Sequence, residues 1–227
     1  MENLLKKYNS LLVGRNAVMN LTAHKTEDES YLYNIQDSLL FADAFKDFKG
    51  KLLDIGSGGG CPAIPLKIVF PQIEVTMVDS VAKKVNFLNE AVSELGLGGI
   101  TAIHTRVEDY AAKNREKFEM VTAKAVAELP TLLEYTLPFL KVGGLLVAYK
   151  GSNARMEIMA SMFALREMGG KVIDVQEATL HVDNGRPIIR TLVIIKKIKK
   201  TPAKYPRGKN LPRTKPFLSR IIEKRTK

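Results

Sequence analysis

The chain lacks the residues on which several common classes of protein depend. Its 227 residues include a single cysteine, Cys61, three histidines and no tryptophan. One cysteine cannot form an internal disulfide, and together with three dispersed histidines it does not have the ligand spacing of a zinc site. The sequence therefore predicts neither a disulfide-stabilised fold nor a metal site, and it favours a reducing, cytoplasmic location.

A long apolar segment is also lacking. No apolar run approaches the roughly 20 residues that a membrane-spanning helix needs. The first residues, MENLLKKYNSLL, alternate charged and apolar positions and do not follow the order of a secretory signal. With 45% hydrophobic and 26% charged residues, the composition is that of an ordinary globular protein, so we expect no membrane partner.

Positive charge is concentrated at one end of the chain. The formal net charge is +11, yet residues 196–227 carry 13 Lys and Arg against one acid, which leaves the first 195 residues at −1. This asymmetry favours a nucleic-acid partner, because Lys and Arg contacts to phosphate supply sequence-independent affinity. A tail that only increases solubility is the alternative. The candidate residues for this contact with nucleic acid are Lys199, Lys200, Lys204, Arg207, Lys209, Arg213 and Lys215.

The hydrophobic pattern changes near residue 51. Before it, apolar residues recur at helical spacing, and Thr26 and Glu29 have the spacing of a capping box. After it, short apolar runs typical of buried strands alternate with helical patterns, which indicates βαβ units and a doubly wound, mostly parallel sheet. Two further strand-like runs flank Asn184-Gly185, a dipeptide typical of hairpin turns. We therefore expect an α/β fold that ends in an antiparallel hairpin.

These patterns predict three segments. Residues 1–50 form a helical extension, residues 51–198 form the α/β domain, and residues 199–227 form a basic tail. Four prolines interrupt the tail, so an extended or partly disordered chain is expected there. We also expect Met156, Met159 and Met162 to lie on one amphipathic helix and to pack in the core.

A glycine cluster follows the first predicted strand, in the run LLDIGSGGGCPAIPL. Gly56, Gly58 and Gly60 form a G-x-G-x-G pattern, which does not match the G-x-G-x-x-G of dinucleotide enzymes. The Gly-Lys-Ser/Thr of a P-loop is also missing. Glycines at such a turn permit positive φ angles and a close approach of a ligand to the backbone.

Two carboxylates flank this turn and bear on the choice of ligand. Asp54 directly precedes it, where a carboxylate would repel a pyrophosphate but suits the cationic methionine end of S-adenosylmethionine. Asp79 ends the next strand, where a carboxylate accepts hydrogen bonds from the ribose hydroxyls of either ligand. The residues favour S-adenosylmethionine, and a nicotinamide dinucleotide is the alternative.

Several runs, taken together, resemble one family of enzymes. They are DIGSGGGCPAIPLKIVFP, VDSVAKKVNFL, TRVEDY, TAKAVAEL and GGLLVAYKG, with MNLTA and DSLL before them and KYPR and KPF after them. The combination resembles the bacterial 16S ribosomal RNA guanine-N7 methyltransferases, the glucose-inhibited division protein B family, over nearly the whole chain. The resemblance implies a class I methyltransferase fold with a seven-stranded sheet and an N-terminal helical extension. It also implies methyl transfer from S-adenosylmethionine to N7 of a guanine in the decoding-centre loop of 16S rRNA in the small ribosomal subunit.

The resemblance also implies a set of site residues. Lys124 stands where the family usually has arginine, Cys61 where it usually has a bulky apolar residue, and Asn34 where histidine is common. Positioning candidates are Lys124, Arg106 and Asn34, and Lys150 and Arg186 are further candidates for holding RNA. The expected cofactor contacts, with Asp54 and Gly58 added from the loop itself, are Asp54, Gly56, Gly58, Cys61, Asp79, Ser80, Val81, Val107, Glu108 and Lys124.

The implied chemistry needs alignment more than acid–base help. Guanine N7 is already a lone-pair nucleophile with no proton to remove, so we assign no catalytic acid, base or nucleophile. We expect Cys61 to pack in the loop and the protein to act as a monomer. The alternative from another functional class is a non-catalytic rRNA-binding assembly factor that retains the fold.

Overall fold

The computed structural model describes residues 1–182, 185–208 and 210–217. The predicted turn residue Asn184 and the candidate RNA contact Lys209 lie outside the described residues. Among the described residues, none of the helices has the length and hydrophobicity that a membrane crossing requires.

Helices and strands alternate from β1 onward, as the hydrophobic pattern predicts. The strands are β1 (Lys51–Ile55), β2 (Glu74–Asp79), β3 (Ile100–His104), β4 (Phe118–Lys124), β5 (Leu140–Lys150), β6 (Gly170–Leu180) and β7 (Ile188–Lys197). The α-helices are α1 (Glu2–Met19), α2 (Glu27–Ser30), α3 (Asp37–Leu39), α4 (Ala63–Val69), α5 (Ala82–Glu94), α6 (Val107–Asn114), α7 (Leu129–Thr136), α8 (Ala154–Ala160), α9 (Met162–Met168) and α10 (Leu211–Thr214). A π-helical turn spans Tyr31–Gln36, and short 3₁₀ turns span Ala42–Phe45 and Leu137–Phe139.

The strands form one seven-stranded sheet in the order β3-β2-β1-β4-β5-β7-β6. Strand β2 pairs in parallel with both β1 and β3, and β4 pairs in parallel with β5. Strand β7 is antiparallel to its neighbour β5. This arrangement confirms the predicted fold class, an α/β fold with a mostly parallel doubly wound sheet and a terminal antiparallel hairpin.

The strand sequences explain why the sheet is buried. The consecutive residues Leu52 and Leu53 of β1 point to opposite faces, and both are fully buried. Parallel sheets are covered by helices on both faces, so their strands are continuous apolar runs and do not alternate with polar residues. The predicted strand KLLDI has this composition.

The chain divides into two compact units. The first comprises Met1–Arg106 with Ala178–Ile188, and the second comprises Val107–Glu177 with the chain from Ile189 onward. In the first unit, α1 packs against α5 and is tied to it by an ion pair between Arg15 and Glu90. In the second unit, α7 is buried along its whole length.

The predicted capping box marks the start of α2. The Thr26 hydroxyl accepts a hydrogen bond from the Glu29 amide at 3.2 Å, as an N-cap side chain does. The Glu29 carboxylate returns to the backbone, although it accepts from the amide of Lys25 instead of that of Thr26. Helix α1 ends at Asn20, whose φ of 52° is the left-handed conformation of a C-cap.

The sequence predicted an extended or partly disordered tail, and disorder is contradicted for the described part of residues 199–217. Outside the short helix α10 the backbone there is irregular, but Thr201, Tyr205 and Pro212 are buried in the second unit. Arg207 donates from Nε and a terminal nitrogen to the carboxylate of Glu134, which is 1% exposed. Pro212 lies in the first turn of the short helix α10, where proline is tolerated, and the other prolines still leave neighbouring side chains able to pack.

The prediction for the three methionines is also wrong. Met156, Met159 and Met162 are 58%, 58% and 59% exposed and do not pack in the core. They also belong to two helices, since α8 ends at Ala160 and α9 begins at Met162. The apolar residues that α8 and α9 bury are instead Ala154, Ala160, Ala164, Leu165 and Met168.

Candidate functional site

The glycine loop connects β1 to α4 at the carboxyl end of the strand. The amides of Gly56 and Ser57 both donate to the carbonyl of Val78 in β2, at 2.8 and 3.2 Å. Gly56, Gly58 and Gly60 have φ angles of 67°, 55° and 97°, in the region that favours glycine. The turn is therefore fastened to the neighbouring strand, and its sharp course depends on the glycines that the sequence supplies.

Asp79, at the end of β2, fixes this loop. Its Oδ2 accepts from the amide of Gly58 and its Oδ1 from the amide of Val81, each at 2.9 Å. A carboxylate oxygen accepts more than one hydrogen bond, so both oxygens can also receive hydroxyl groups. One side chain thereby joins the glycine loop to the turn that opens α5.

Asp54 places a second carboxylate under the loop. It is 1% exposed, lies next to the end of β1, and its carbonyl accepts from the Ser57 hydroxyl at 3.1 Å. A carboxylate at this position would attract a cationic group and repel a phosphate.

The N-terminal helix α1 supports the glycine loop, a role that the sequence alone does not indicate. The Tyr8 hydroxyl donates to the carbonyl of Gly59 and lies 3.3 Å from the sulfur of Cys61. Burial, reinforced by the neighbouring Cys61 and Asp54, raises the pKa of Tyr8 well above its usual range. Tyr8 therefore stays a neutral donor, and α1 belongs to the loop's support as well as to the extension.

Packing against α1 leaves little space for a side chain at Gly59 and Gly60. A Cβ on Gly59 would come within 2.8 Å of Leu12 in α1. A Cβ on Gly60 would come within 2.9 Å of the Tyr8 hydroxyl and within 2.7 Å of Ile64 in α4. All three distances are shorter than a Cβ normally makes, so a side chain at either position would force the neighbouring side chains to shift.

The remaining predicted cofactor contacts fall in both units. Ser80 and Val81 follow Asp79, and the Ser80 carbonyl lies 3.2 Å from Nε2 of His104, the last residue of β3. Arg106 is exposed at the end of the first unit. In the second unit, Val107 and Glu108 open α6, and Lys124 is the half-buried last residue of β4.

Two of the predicted positioning or RNA-holding residues have internal partners. Asn34, in the π-helical turn, donates to the Ser30 hydroxyl at 3.0 Å and accepts from the Thr22 hydroxyl at 3.2 Å. Lys150 has a side chain that is only 7% exposed and pairs with Glu157 at 2.6 Å. Arg186 is exposed.

The described candidate RNA contacts divide into two groups. Arg207 is committed to Glu134, and its side chain is covered by the ring of Phe217, 3.9 Å from the guanidinium carbon. The exposed group is Lys199, Lys200, Lys204, Arg213 and Lys215. Lys204 in this group also pairs with Glu167 at 3.1 Å, at the surface.

A metal centre has no support in the described part of the chain. No group of three or more His, Cys, Asp or Glu side chains is arranged there to hold a metal ion.

A doubly wound sheet with a glycine loop after β1 and acidic residues at the ends of β1 and β2 defines a class I methyltransferase fold. Solved structures of this class share the fold. The structure of a SAM-dependent methyltransferase from Methanosarcina mazei superposes with a TM-score of 0.56 at 15% identity, covering 70% of this chain and 97% of that one. M. jannaschii TYW2, solved in complex with AdoMet, gives a TM-score of 0.53 at 16% identity, covering 72% and 77%.

Sequence comparison identifies the family. The family model GidB, described as rRNA small subunit methyltransferase G, matches residues 1–184. A ribosomal RNA small subunit methyltransferase G from Limosilactobacillus fermentum is 44% identical over 94% of this chain and 89% of its own length. The chain belongs to the GidB family of rRNA small subunit methyltransferases G.

Two Gly→Ala changes are expected to have opposite effects, because one lies where α1 packs on the glycine loop and the other lies in open space within α1. Gly60→Ala forces a side chain into Tyr8, Ile64 and Leu88 at a positive φ, and we expect it to lower the free energy of unfolding by about 2 kcal/mol or more. Gly14→Ala, inside α1 with open space around it, is expected to raise that free energy by about 0.5–1 kcal/mol. Urea unfolding of both variants measures this, and equal effects would contradict the described fit.

Proposed function

We propose that this protein transfers a methyl group from S-adenosylmethionine to N7 of a guanine in the decoding-centre loop of 16S rRNA. Its family membership supports methylation of small-subunit rRNA, and the fold it shares with TYW2, a protein solved with AdoMet, supports the donor. The observation that carries the proposal is the glycine loop flanked by Asp54 and Asp79.

The residues present fit S-adenosylmethionine. Gly56 and Gly58 leave the loop surface without side chains, so the ligand can approach the backbone. Asp79 would accept from the ribose hydroxyls, and the buried charge of Asp54 suits the ammonium-bearing methionine end. Ser80, Val81, Val107 and Glu108 would border the ribose and adenine, as the family resemblance implies. When bound, this group supplies a methyl group on a positively charged sulfur.

Methylation at guanine N7 requires that the base be oriented toward the methyl group and that water be excluded. Guanine N7 carries a lone pair and loses no proton on methylation, so the chain needs no general base. Cys61 is not a nucleophile in this proposal, because its sulfur lies against the Tyr8 hydroxyl in the loop's support. Lys124 would contact a phosphate or the cofactor's carboxyl end, since a cation on N7 would block the attacking lone pair.

The same proposal covers the setting of the reaction. The protein would act as a cytoplasmic monomer on the small ribosomal subunit or its rRNA. A non-catalytic assembly factor would use the basic tail but leave the rRNA unmethylated.

Methyl mapping tests the proposed reaction. The full-length protein is incubated with methyl-labelled S-adenosylmethionine and either 30S subunits or deproteinised 16S rRNA, both from cells that lack this enzyme. We expect label on one guanine of the decoding-centre loop, as 7-methylguanosine. Label on another atom or another nucleotide would refute the assignment of the acceptor. Cofactor binding without any transfer would favour the assembly factor.

Substitutions in the exposed part of the tail test its contact with RNA. Truncation at residue 195 is unsuitable, because it would remove the buried Lys197, Thr201 and Tyr205. Changing Lys199, Lys200 and Lys215 together to Gln keeps this packing, since all three are exposed. We expect the slope of log affinity for rRNA against log salt to become less steep by about 2, since each phosphate contact contributes about 0.7–0.9.

A matched triple variant separates tail charge from total charge. Lys46, Lys49 and Lys113 are exposed lysines outside the tail, and changing them to Gln removes the same charge. We expect this control to keep a steeper salt slope than the tail variant. Equal slopes in the two variants would refute a specific role of the tail.

A further inference from the structure

The loop that follows Lys124 has a constrained backbone. Lys124 ends β4, and α7 begins at Leu129, so only residues 125–128 connect them. Ala125 has a φ of 57°, which is unusual for a residue with a side chain. In doubly wound sheets, ligands bind outside the carboxyl ends of the strands, where this loop begins. A strained backbone at such a position persists only when its surroundings hold it.

A largely buried ion pair holds this loop from one side. Lys150, the last residue of β5, donates from Nζ to the carbonyl of Ala127 at 2.7 Å. The same Nζ lies 2.6 Å from Oε2 of Glu157 in α8, with the two side chains 7% and 19% exposed. Lys150 is therefore directed at the loop and away from solvent.

Glu157 completes the contact at the far end of the loop. Its Oε2 accepts from the amide of Leu129 at 2.7 Å, at the first residue of α7. Helix N-termini carry unsatisfied amides and a partial positive charge, so a carboxylate stabilises this position. From outside, Arg213 donates to the carbonyl of Val126 at 2.9 Å. Consecutive parts of the loop are thus fixed by side chains from three separate segments.

We propose that Lys150 and Glu157 are positioning residues for methyl transfer, which hold residues 125–129 so that Lys124 is presented in its active arrangement. This inference rests on the proposed function, since the step being positioned is methyl transfer to rRNA. It replaces the prediction that Lys150 itself holds RNA. In the absence of this pair, the loop loses the side chains that fix Ala127 and Leu129.

The two interpretations of Lys150 predict different kinetics. Lys150→Met removes the ammonium and keeps the length of the side chain, while Glu157→Gln removes the charge and keeps an oxygen that can accept from Leu129. For both variants we expect kcat to fall about tenfold while the KM for rRNA stays within about twofold, as for a contact that serves the transition state. The double variant should lose no more than about the larger single loss, since the two residues act as one unit.

A control and a second readout accompany these variants. Lys171→Met removes an exposed lysine of the second unit for which we propose no role, and it should leave kcat and KM unchanged. Hydrogen exchange at the amides of residues 126–129 reports the loop without turnover. We expect faster exchange there in Lys150→Met and Glu157→Gln than in wild type and in the Lys171→Met control.

Several outcomes would overturn the inference. A raised KM for rRNA and a shallower salt slope in Lys150→Met, with kcat unchanged, would make Lys150 an RNA contact. In that case Glu157→Gln should leave kcat unchanged, since it only releases the lysine. Unchanged exchange at residues 126–129 in both variants would refute the idea that Lys150 and Glu157 hold this loop. Failure of the proposed function gives a different result. The wild-type protein would then not methylate rRNA, while hydrogen exchange at residues 126–129 would still be faster in both variants than in wild type.

Discussion

The rest of the site depends on the hydrogen bonds that the Asp79 carboxylate accepts from the backbone. This side chain binds the amide of Gly58 in the glycine loop and the amide of Val81 in the turn before α5. Without it, two adjacent turns would present their amides to a ligand with no fixed separation. Because a charged acceptor forms stronger hydrogen bonds than a neutral one, the carboxylate holds the turns while it remains able to bind a diol. The glycine loop and the turn before α5 are therefore held in place without a ligand.

The support beneath the cradle comes from the N-terminal helix. Tyr8 donates to the loop carbonyl of Gly59, and Leu12 closes the space that a side chain at that position would need. A tyrosine is already neutral at ordinary pH, and burial raises the pKa of Tyr8 further, so its hydroxyl remains a donor. A helical extension that could be taken for an appendage is thus part of how the loop keeps its shape. A similar arrangement recurs in the second unit, where Lys150 and Glu157 hold the loop after Lys124.

Much of the fold was predictable because it follows from the spacing of residues that are close together in the chain. Continuous apolar runs such as KLLDI, alternating with helical patterns, predicted the parallel strands, and the spacing of Thr26 and Glu29 predicted the start of α2. The glycine loop and the two acidic strand ends were also visible in the sequence, since each needs a particular residue at a particular place in the turn. These predictions rest on neighbours in the chain.

The features that could not be predicted depend on residues far apart in the chain. Nothing near Tyr8 indicates that its hydroxyl meets a carbonyl 51 residues later, and its helical spacing fits ordinary core packing equally well. In the sequence, Arg207 is one of many cations in a basic tail. In the structure its guanidinium donates to the buried carboxylate of Glu134, 73 residues away. The methionines of α8 and α9 illustrate the opposite error, since apolar spacing alone does not say which helix face is covered.

In the proposed site, the carboxylates of Asp54 and Asp79 bind opposite ends of one cationic nucleoside ligand. Calorimetric binding of S-adenosylmethionine and of adenosine to Asp54→Asn and Asp79→Asn tests this most directly, since adenosine lacks the methionine end. Asp79→Asn should weaken both ligands, whereas Asp54→Asn should weaken S-adenosylmethionine about tenfold or more and leave adenosine unchanged, in line with about 1.5–3 kcal/mol for a hydrogen bond to a charged group. Equal losses of both ligands in Asp54→Asn, or no loss in either variant, would contradict the account.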